Sequence, residues 1–499
     1  MTNAMSQSTT TGQPQHYRVA ILGAGLSGIC MGVQLKRHGI ENFTIIEKAN
    51  AVGGTWRENT YPGIACDVPS HVYSFSFELN PDWSQSYGTG QEIWDYCIHC
   101  VNKYGLREHL RLNSEVVNAK FNGNVWQIQT QIGQAFSADA IVSGLGGLHI
   151  PKHADLPGME EFEGNVFHTA QWDHGHDLRG RRVAIVGTGA SAVQVLPEIA
   201  AEVSEVTVFQ RTAAWVLPRQ SREISQQRRA LFRRHAWIMR LYRWSIWLLM
   251  DVVGILSLRR GGLLSRRLRD ICLRHLEKSV EDPKLRAKLT PEYDPGCKRR
   301  CVSDDYLRTF NLAHVKLCTD AISAVEPGGI RDETGKLHAV DTIIEATGFS
   351  AFDITKYVDF HGRDGKRMSD IWHESVTAYR SVMVPGFPNL FLLLGPNSGT
   401  GHTSALIMIE SQVQFVLHCL RLLDAGKAPY LEADASATRD FNTRLQRDMR
   451  KMVFSSGCKA WYTDEQDHNF TLWPYSASRY VIEGKLFRDK DITPQVQGR

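Results

Sequence analysis

Two glycine-rich turns, each set between a strand-like apolar run and a helix-like one, and a long arginine-rich stretch after the second turn predict an α/β fold. The prediction is two Rossmann-like units with a helical insertion. Composition allows it: 42% of the 499 residues are apolar and 22% charged, ordinary for a folded protein with room for several domains. Lys and Arg (57) nearly balance Asp and Glu (53), so nucleic acid is not expected as a partner. Residues 1–17 are polar and rich in Ser, Thr and Gln, and read as a flexible tail, not a signal peptide. Without such a signal the ten cysteines read as reduced thiols of a cytoplasmic protein. The pairs Cys97/Cys100 and Cys297/Cys301 lie too far apart in the chain for a compact zinc module. They read as buried thiols, and no metal site is expected.

The first unit opens with the apolar run 17–22 and passes directly into Gly23-Ala24-Gly25-Leu26-Ser27-Gly28. Residues 29–38 continue as a helix, and Phe43-Thr44-Ile45-Ile46 forms a second strand that ends on Glu47. In this pattern Gly23 permits the tight turn and Gly25 lets backbone approach a pyrophosphate. Gly28 lets helix and strand pack, and the helix N-terminus faces the phosphates. Glu47 can accept both hydroxyls of an adenosine ribose.

The second unit repeats the first. Residues 181–186 lead into Gly187-Thr188-Gly189-Ala190-Ser191-Ala192, then a helix over 193–201 and a strand over 206–209. Arg211 stands as far past Gly187 as Glu47 stands past Gly23, and Thr212 follows it. A carboxylate repels a 2′-phosphate, whereas a guanidinium pairs with it through two hydrogen bonds. The first site therefore suits FAD or NAD, and the second suits NADP.

Two dinucleotide sites in one chain predict a flavoprotein reduced by NADPH. Its electrons can leave to a disulfide, to another carrier or to oxygen, and no redox cysteine pair follows the first unit. Between the units Phe162, Gly164, His168, Trp172 and Asp173 form the string F-x-G-x-x-x-H-x-x-x-W-D. It resembles the fingerprint of the type I Baeyer–Villiger monooxygenases, class B flavoproteins. The related flavin-containing heteroatom monooxygenases carry Tyr in place of Trp172. In the family this string resembles a linker that couples domain positions, and His168 is not read as a catalytic base.

The resemblance extends along nearly the whole chain. Gly53-Gly54-Thr55-Trp56, Tyr61-Pro62-Gly63, Asp67, Ser70, Tyr73, Ser74 and Phe75 resemble the family's flavin-cradling segment. Gly296-Cys297-Lys298-Arg299-Arg300 is similar to its K-R segment, in which the arginine after the lysine lies over the flavin; that position maps to Arg299. Arg300 replaces the small residue or Pro common at that point, which leaves open which guanidinium points inward. The mapping implies that Asp67 holds Arg299 and that Lys298 assists Arg211 at the NADP 2′-phosphate. Residues 345–349 resemble the turn where the chain returns to the flavin domain. The loop 394–404 resembles one that aims a helix N-terminus at the flavin ring.

Residues 222–276 are different. They hold thirteen arginines against Glu223, Asp251 and Asp270, interleaved with Trp237, Leu241, Trp244, Trp247 and Leu248 near helical spacing. The longest apolar run, 246–258, contains Asp251 and is too short to span a bilayer. One reading is a helical insertion packed over the NADP domain. The other is a basic amphipathic surface that touches membrane or lines the route for an apolar substrate.

The expected organisation is a tail (1–17), an FAD domain (18–150 and 340–499), an NADP domain (151–220 and 295–340) and a helical insertion (221–294). The activity implied by the resemblance uses NADPH and O2. It converts a small apolar ketone to an ester or lactone through a peroxyflavin and a tetrahedral adduct. Oxidation of sulfur or nitrogen compounds, and a membrane-attached flavoprotein with little oxygenation, are the alternatives.

Overall fold

The computed structural model describes residues 14–350, 354–426, 428–458, 462–463 and 468–492. Its first sheet has eight strands. Gln15–Leu22 lies between Phe43–Ile46 and Ala135–Ser143, parallel to both, and Leu110–Arg111 extends the sheet beyond Phe43–Ile46. Val116–Phe121 and Trp126–Thr130 run up to Ala135–Ser143 as an antiparallel meander. Continuous apolar runs suit strands covered on both faces, and Val19, Ala20, Ile21 and Leu22 are fully buried. The strand starts earlier than the sequence suggests, with Gln15 paired to Phe136, so residues 15–17 belong to the sheet and not to the tail. Residues 1–13 of that tail lie outside the described residues.

The second sheet is wholly parallel: Val315–Cys318, Glu205–Phe209, Arg182–Val186, Thr342–Glu345 and Asn165–His168, in that order. Thr342–Glu345, expected with the first domain from residue 340, pairs inside this sheet, and the chain crosses back after Glu345. Asn165–His168 is its edge strand, so the F-x-G-x-x-x-H string enters the second unit as a strand. Gly164 has no room for a side chain, since a Cβ there would meet Asp341 O at 2.4 Å.

The insertion folds as the helices Gln226–Arg234, Ala236–Ser257 and Leu263–Ser279, followed by the short helix Pro283–Lys288. It straddles the two units instead of covering the second alone. Leu276 joins the second core, while Ile246 and Trp247 pack on the first. Polar anchors explain the placement of Ala236–Ser257: Arg243 Nη2 donates to Ser74 O at 3.2 Å, and Asp251 is buried against the start of the helix Ala477–Glu483. The helix Ala405–Asp424 is long and apolar enough to cross a membrane, but its residues lie mostly within the first core.

One cysteine expectation is overturned. Cys97 and Cys100 are buried thiols, but Cys297 is bonded to Cys458, 161 residues away. The pairing is invisible in local spacing because folding brings the two Cα atoms to 6.2 Å, within bridging range. A bridge closing so long a loop contributes about 5 kcal/mol by loop-closure entropy. Non-reducing peptide mapping should recover Cys297 and Cys458 as one linked pair, and reductant should lower the melting temperature of the wild type but not of Cys297→Ser/Cys458→Ser.

Candidate functional site

Both glycine turns present a bare helix start. The helices Leu26–Arg37 and Ala190–Ile199 begin after Gly25 and Gly189, with no side-chain cap and no acid in the first turn. By contrast Thr89, Asp282, Ser404 and Asp434 cap the starts of their helices. Unclaimed N–H groups at the positive end of a helix are what a pyrophosphate requires. A Cβ on Gly189 would meet nothing within 4 Å, so the second turn is open to a ligand. At the first turn a Cβ on Gly28 would meet Gly23 O at 1.9 Å, so only glycine lets this helix lie on its strand. Gly54, at φ 53°, lies against Gly25, where a Cβ would meet Gly25 Cα at 2.9 Å. Beside it, in the short helix Thr55–Glu58, Trp56 Nε1 donates to Tyr73 OH at 3.1 Å.

Glu47 is buried at the end of its strand. Its carboxylate accepts from the Ala24 N–H at 2.7 Å and the Ala49 N–H at 2.9 Å, one on each oxygen. Each oxygen keeps a lone pair for a ribose hydroxyl. In the second unit Thr188 Oγ1 donates to Thr212 O at 2.7 Å and fixes the chain beside Arg211. Arg211 is exposed, and Lys298 lies with its ammonium 5.2 Å from the Tyr293 ring centroid. Burial, with the nearby Arg211 charge adding to it, holds the Lys298 ammonium below its ordinary pKa. Neither cation has a carboxylate partner among the described residues. Two cations drawn together without an anion form a place for one.

The stretch 53–75 connects the first turn to the helix that leads from the second. It starts with Gly54 on Gly25, and then Tyr61 OH donates to Gln194 Oε1 at 3.0 Å while Gln194 Nε2 donates to Ala65 O at 3.0 Å. Gly63, at φ 77°, fits only as glycine, because a Cβ would meet Gln194 O at 2.6 Å. Docked this way, Asp67 meets the K-R segment. Arg299 Nη2 and Nε donate to Asp67 Oδ2 at 2.9 and 3.3 Å. The Asp67 charge raises the Arg299 pKa further, so the guanidinium is permanently charged. Asp67 is 14% exposed and Arg299 52%, so the anchor is covered while its cation remains accessible. Arg300 spends its donors elsewhere, on Ser257 Oγ at 3.2 Å and Gly401 O at 2.9 Å.

The linker string lies apart from both turns. His168 is buried, its Nδ1 accepts from the Ala170 N–H at 3.0 Å, and burial lowers its pKa, which keeps the ring neutral. Its ring faces Phe349 at 6.0 Å, so it lies against the returning segment. Trp172 packs edge-on to Phe167, and Phe162 flanks the second sheet's other core.

Sequence reasoning missed three groups. Arg219 Nη2 donates to Cys66 O at 3.3 Å beside Asp67. Gln194 latches the 61–65 segment. Asp251 pairs with His402 Nε2 at 3.1 Å, inside the loop before Ala405–Asp424. Only Asp251, a lone acid in an apolar run, left a signal.

A family model described as pyridine nucleotide-disulphide oxidoreductase matches residues 20–233. Among curated proteins, a Baeyer–Villiger monooxygenase of Pseudomonas aeruginosa is 43% identical over 94% of this chain and 90% of its own length. The chain belongs to the Baeyer–Villiger monooxygenase family. A second member, from Streptomyces coelicolor, is 39% identical over 94% of this chain and 91% of its own. Among solved structures, an oxidised steroid monooxygenase bound to NADP superposes with a TM-score of 0.84 at 25% identity, covering 95% of this chain and 97% of that one. Membership agrees with the thiols: Cys66, Cys97 and Cys100 are buried, and burial pushes their pKa values up, Cys66 and Cys100 to about 12. None is an activated thiolate of the kind a disulfide reductase uses.

Proposed function

We propose that the chain is an FAD-containing, NADPH- and O2-dependent Baeyer–Villiger monooxygenase that converts small apolar ketones to esters or lactones. The observation that carries this reading is the Arg299–Asp67 pair, with Asp67 on a segment that touches the first glycine turn and the helix leading from the second. When bound, FAD would supply the electrons, taken from NADPH, that activate O2; the protein's own residues bind, orient and hold charge.

Gly23, Gly25 and Gly28 clear the first turn, Glu47 accepts from the FAD ribose, and Gly54, Thr55, Trp56 and Tyr73 line the cofactor. Gly187, Thr188, Gly189 and Ser191 form the turn for the NADP pyrophosphate, and Arg211, Thr212 and Lys298 take the 2′-phosphate. Arg299 provides a fixed positive charge where oxygen becomes negative as the ketone carbonyl is attacked. Asp67 positions it. Phe162, Gly164, His168 and Trp172 couple the two units, and the substrate sits where the units meet.

The test is NADPH consumption over a ketone panel, with product masses, beside a sulfide as competitor. Ketone-dependent NADPH use and a product heavier by one oxygen, identified as ester or lactone, are expected. Sulfoxide as the sole oxygenated product would replace this reading with heteroatom oxidation.

A further inference from the structure

A surface helix ordinarily turns its apolar stripe inward. Ala236–Ser257 does so with Ile246, Trp247 and Ile255, yet it carries a second apolar face that points outward. Trp237, Leu241, Trp244, Leu248, Leu249 and Val252 are between 38% and 64% exposed; all but Leu249 follow one another at three- and four-residue steps along one face, and Leu249, three before Val252, widens it. The buried residues of the helix are Met239, Asp251 and Ser257.

The orientation is locked. Asp251 accepts from the Ala477 N–H at 2.6 Å and the Ser478 N–H at 3.0 Å and pairs with His402. Burial alone raises the pKa of such a carboxyl, but these hydrogen bonds outweigh it and hold it down at about 2. Gly254 lies so close to His402 that a Cβ would meet its Cβ at 2.7 Å. Rolling the stripe inward would strip Asp251 of its partners and leave a charge without compensation. The outward apolar face is therefore a fixed feature of the fold.

Its surroundings are basic. Arg240 lies on the face itself, Arg259 and Arg260 follow the helix, and Arg266 and Arg267 start the next one. All five are exposed, and none pairs with a carboxylate among the described residues, unlike Arg233, which pairs with Asp82. A second copy of the chain, packed face to face, would bring these arginine collars together. An anionic lipid surface satisfies both halves: acyl chains for the stripe, headgroup phosphates for the guanidinia, and an interfacial layer that favours Trp237 and Trp244.

We propose that the outward face of Ala236–Ser257 is a docking surface for an anionic bilayer, with the helix lying in the interface plane. The proposal stands whether or not the ketone reading holds, because binding requires no turnover. The test is flotation of the FAD-loaded full chain with vesicles of phosphatidylcholine, alone or mixed equally with phosphatidylglycerol, alongside sedimentation velocity without lipid.

The wild type should float with the mixed vesicles and remain below with phosphatidylcholine alone. Trp244→Gln/Leu248→Gln/Leu249→Gln should weaken flotation about tenfold or more, and Arg259→Glu/Arg260→Glu should weaken it in a salt-dependent way. These side chains are exposed, so the yellow colour and the melting temperature should be retained, which separates lost docking from lost folding. Wild type that stays below with the mixed vesicles, or variants that float as well as wild type, would overturn the proposal. So would a lipid-free dimer that the triple substitution converts to monomer, which would assign the face to a second copy.

Discussion

Arg211→Ala is expected to raise the KM for NADPH by about tenfold or more while leaving the KM for NADH nearly unchanged, because one hydrogen bond to a charged group contributes about 1.5–3 kcal/mol. The guanidinium stands exposed and without a carboxylate partner among the described residues, beside a lysine whose pKa is lowered by burial and by that same guanidinium. Without ligand the two cations repel; a 2′-phosphate between them turns that repulsion into attraction. Lys298→Ala should act in the same direction but more weakly, since an ammonium is a point charge and cannot grip two oxygens at once. Thr188 and Thr212 hold the backbone at this point, so removing the Arg211 side chain should not disturb the turn. Comparable losses for NADH and NADPH would remove Arg211 from the phosphate site.

The parts of this molecule that were legible in the sequence are those whose determinants are local. A strand that runs into G-x-G-x-x-G carries its own reason, since Gly28 has no space for even one carbon above Gly23. The difference between Glu47 and Arg211 is also local, a matter of charge at a fixed offset. What was not legible depends on long-range encounters. Cys297 finds Cys458 across 161 residues, and Arg300 finds Ser257 and Gly401, and neither pairing leaves any periodicity. The insertion shows the same limit. Its helices and its basic character could be read directly, but not that a buried Asp251 would turn the apolar stripe toward solvent.

Arg299→Ala should abolish ester formation while leaving the yellow cofactor bound and reducible by NADPH, though with slower reduction. The loss expected for one preorganised charge is about 10²–10³ in rate. Three features of the structure single out this residue. Its guanidinium donates twice to Asp67 Oδ2, its charge is reinforced by that carboxylate, and half of its side chain remains accessible beside the covered anchor. A charge held in that way requires no reorganisation when negative charge develops on oxygen. NADPH oxidation should continue in the variant and end in hydrogen peroxide, so oxygen uptake and ester yield should separate. Sulfide oxidation, in which the nucleophile is the substrate, should suffer less than ketone oxidation. Asp67→Asn should fall between wild type and Arg299→Ala, because it removes the anchor's charge and keeps the guanidinium. Arg300→Ala is the control, since its donors are committed to Ser257 and Gly401. It should loosen the contact between the insertion and the 394–404 loop, lower the melting temperature and spare ester formation. Ester formation kept by Arg299→Ala and lost in Arg300→Ala would move the role to Arg300, and retention in both would end the case for a catalytic guanidinium.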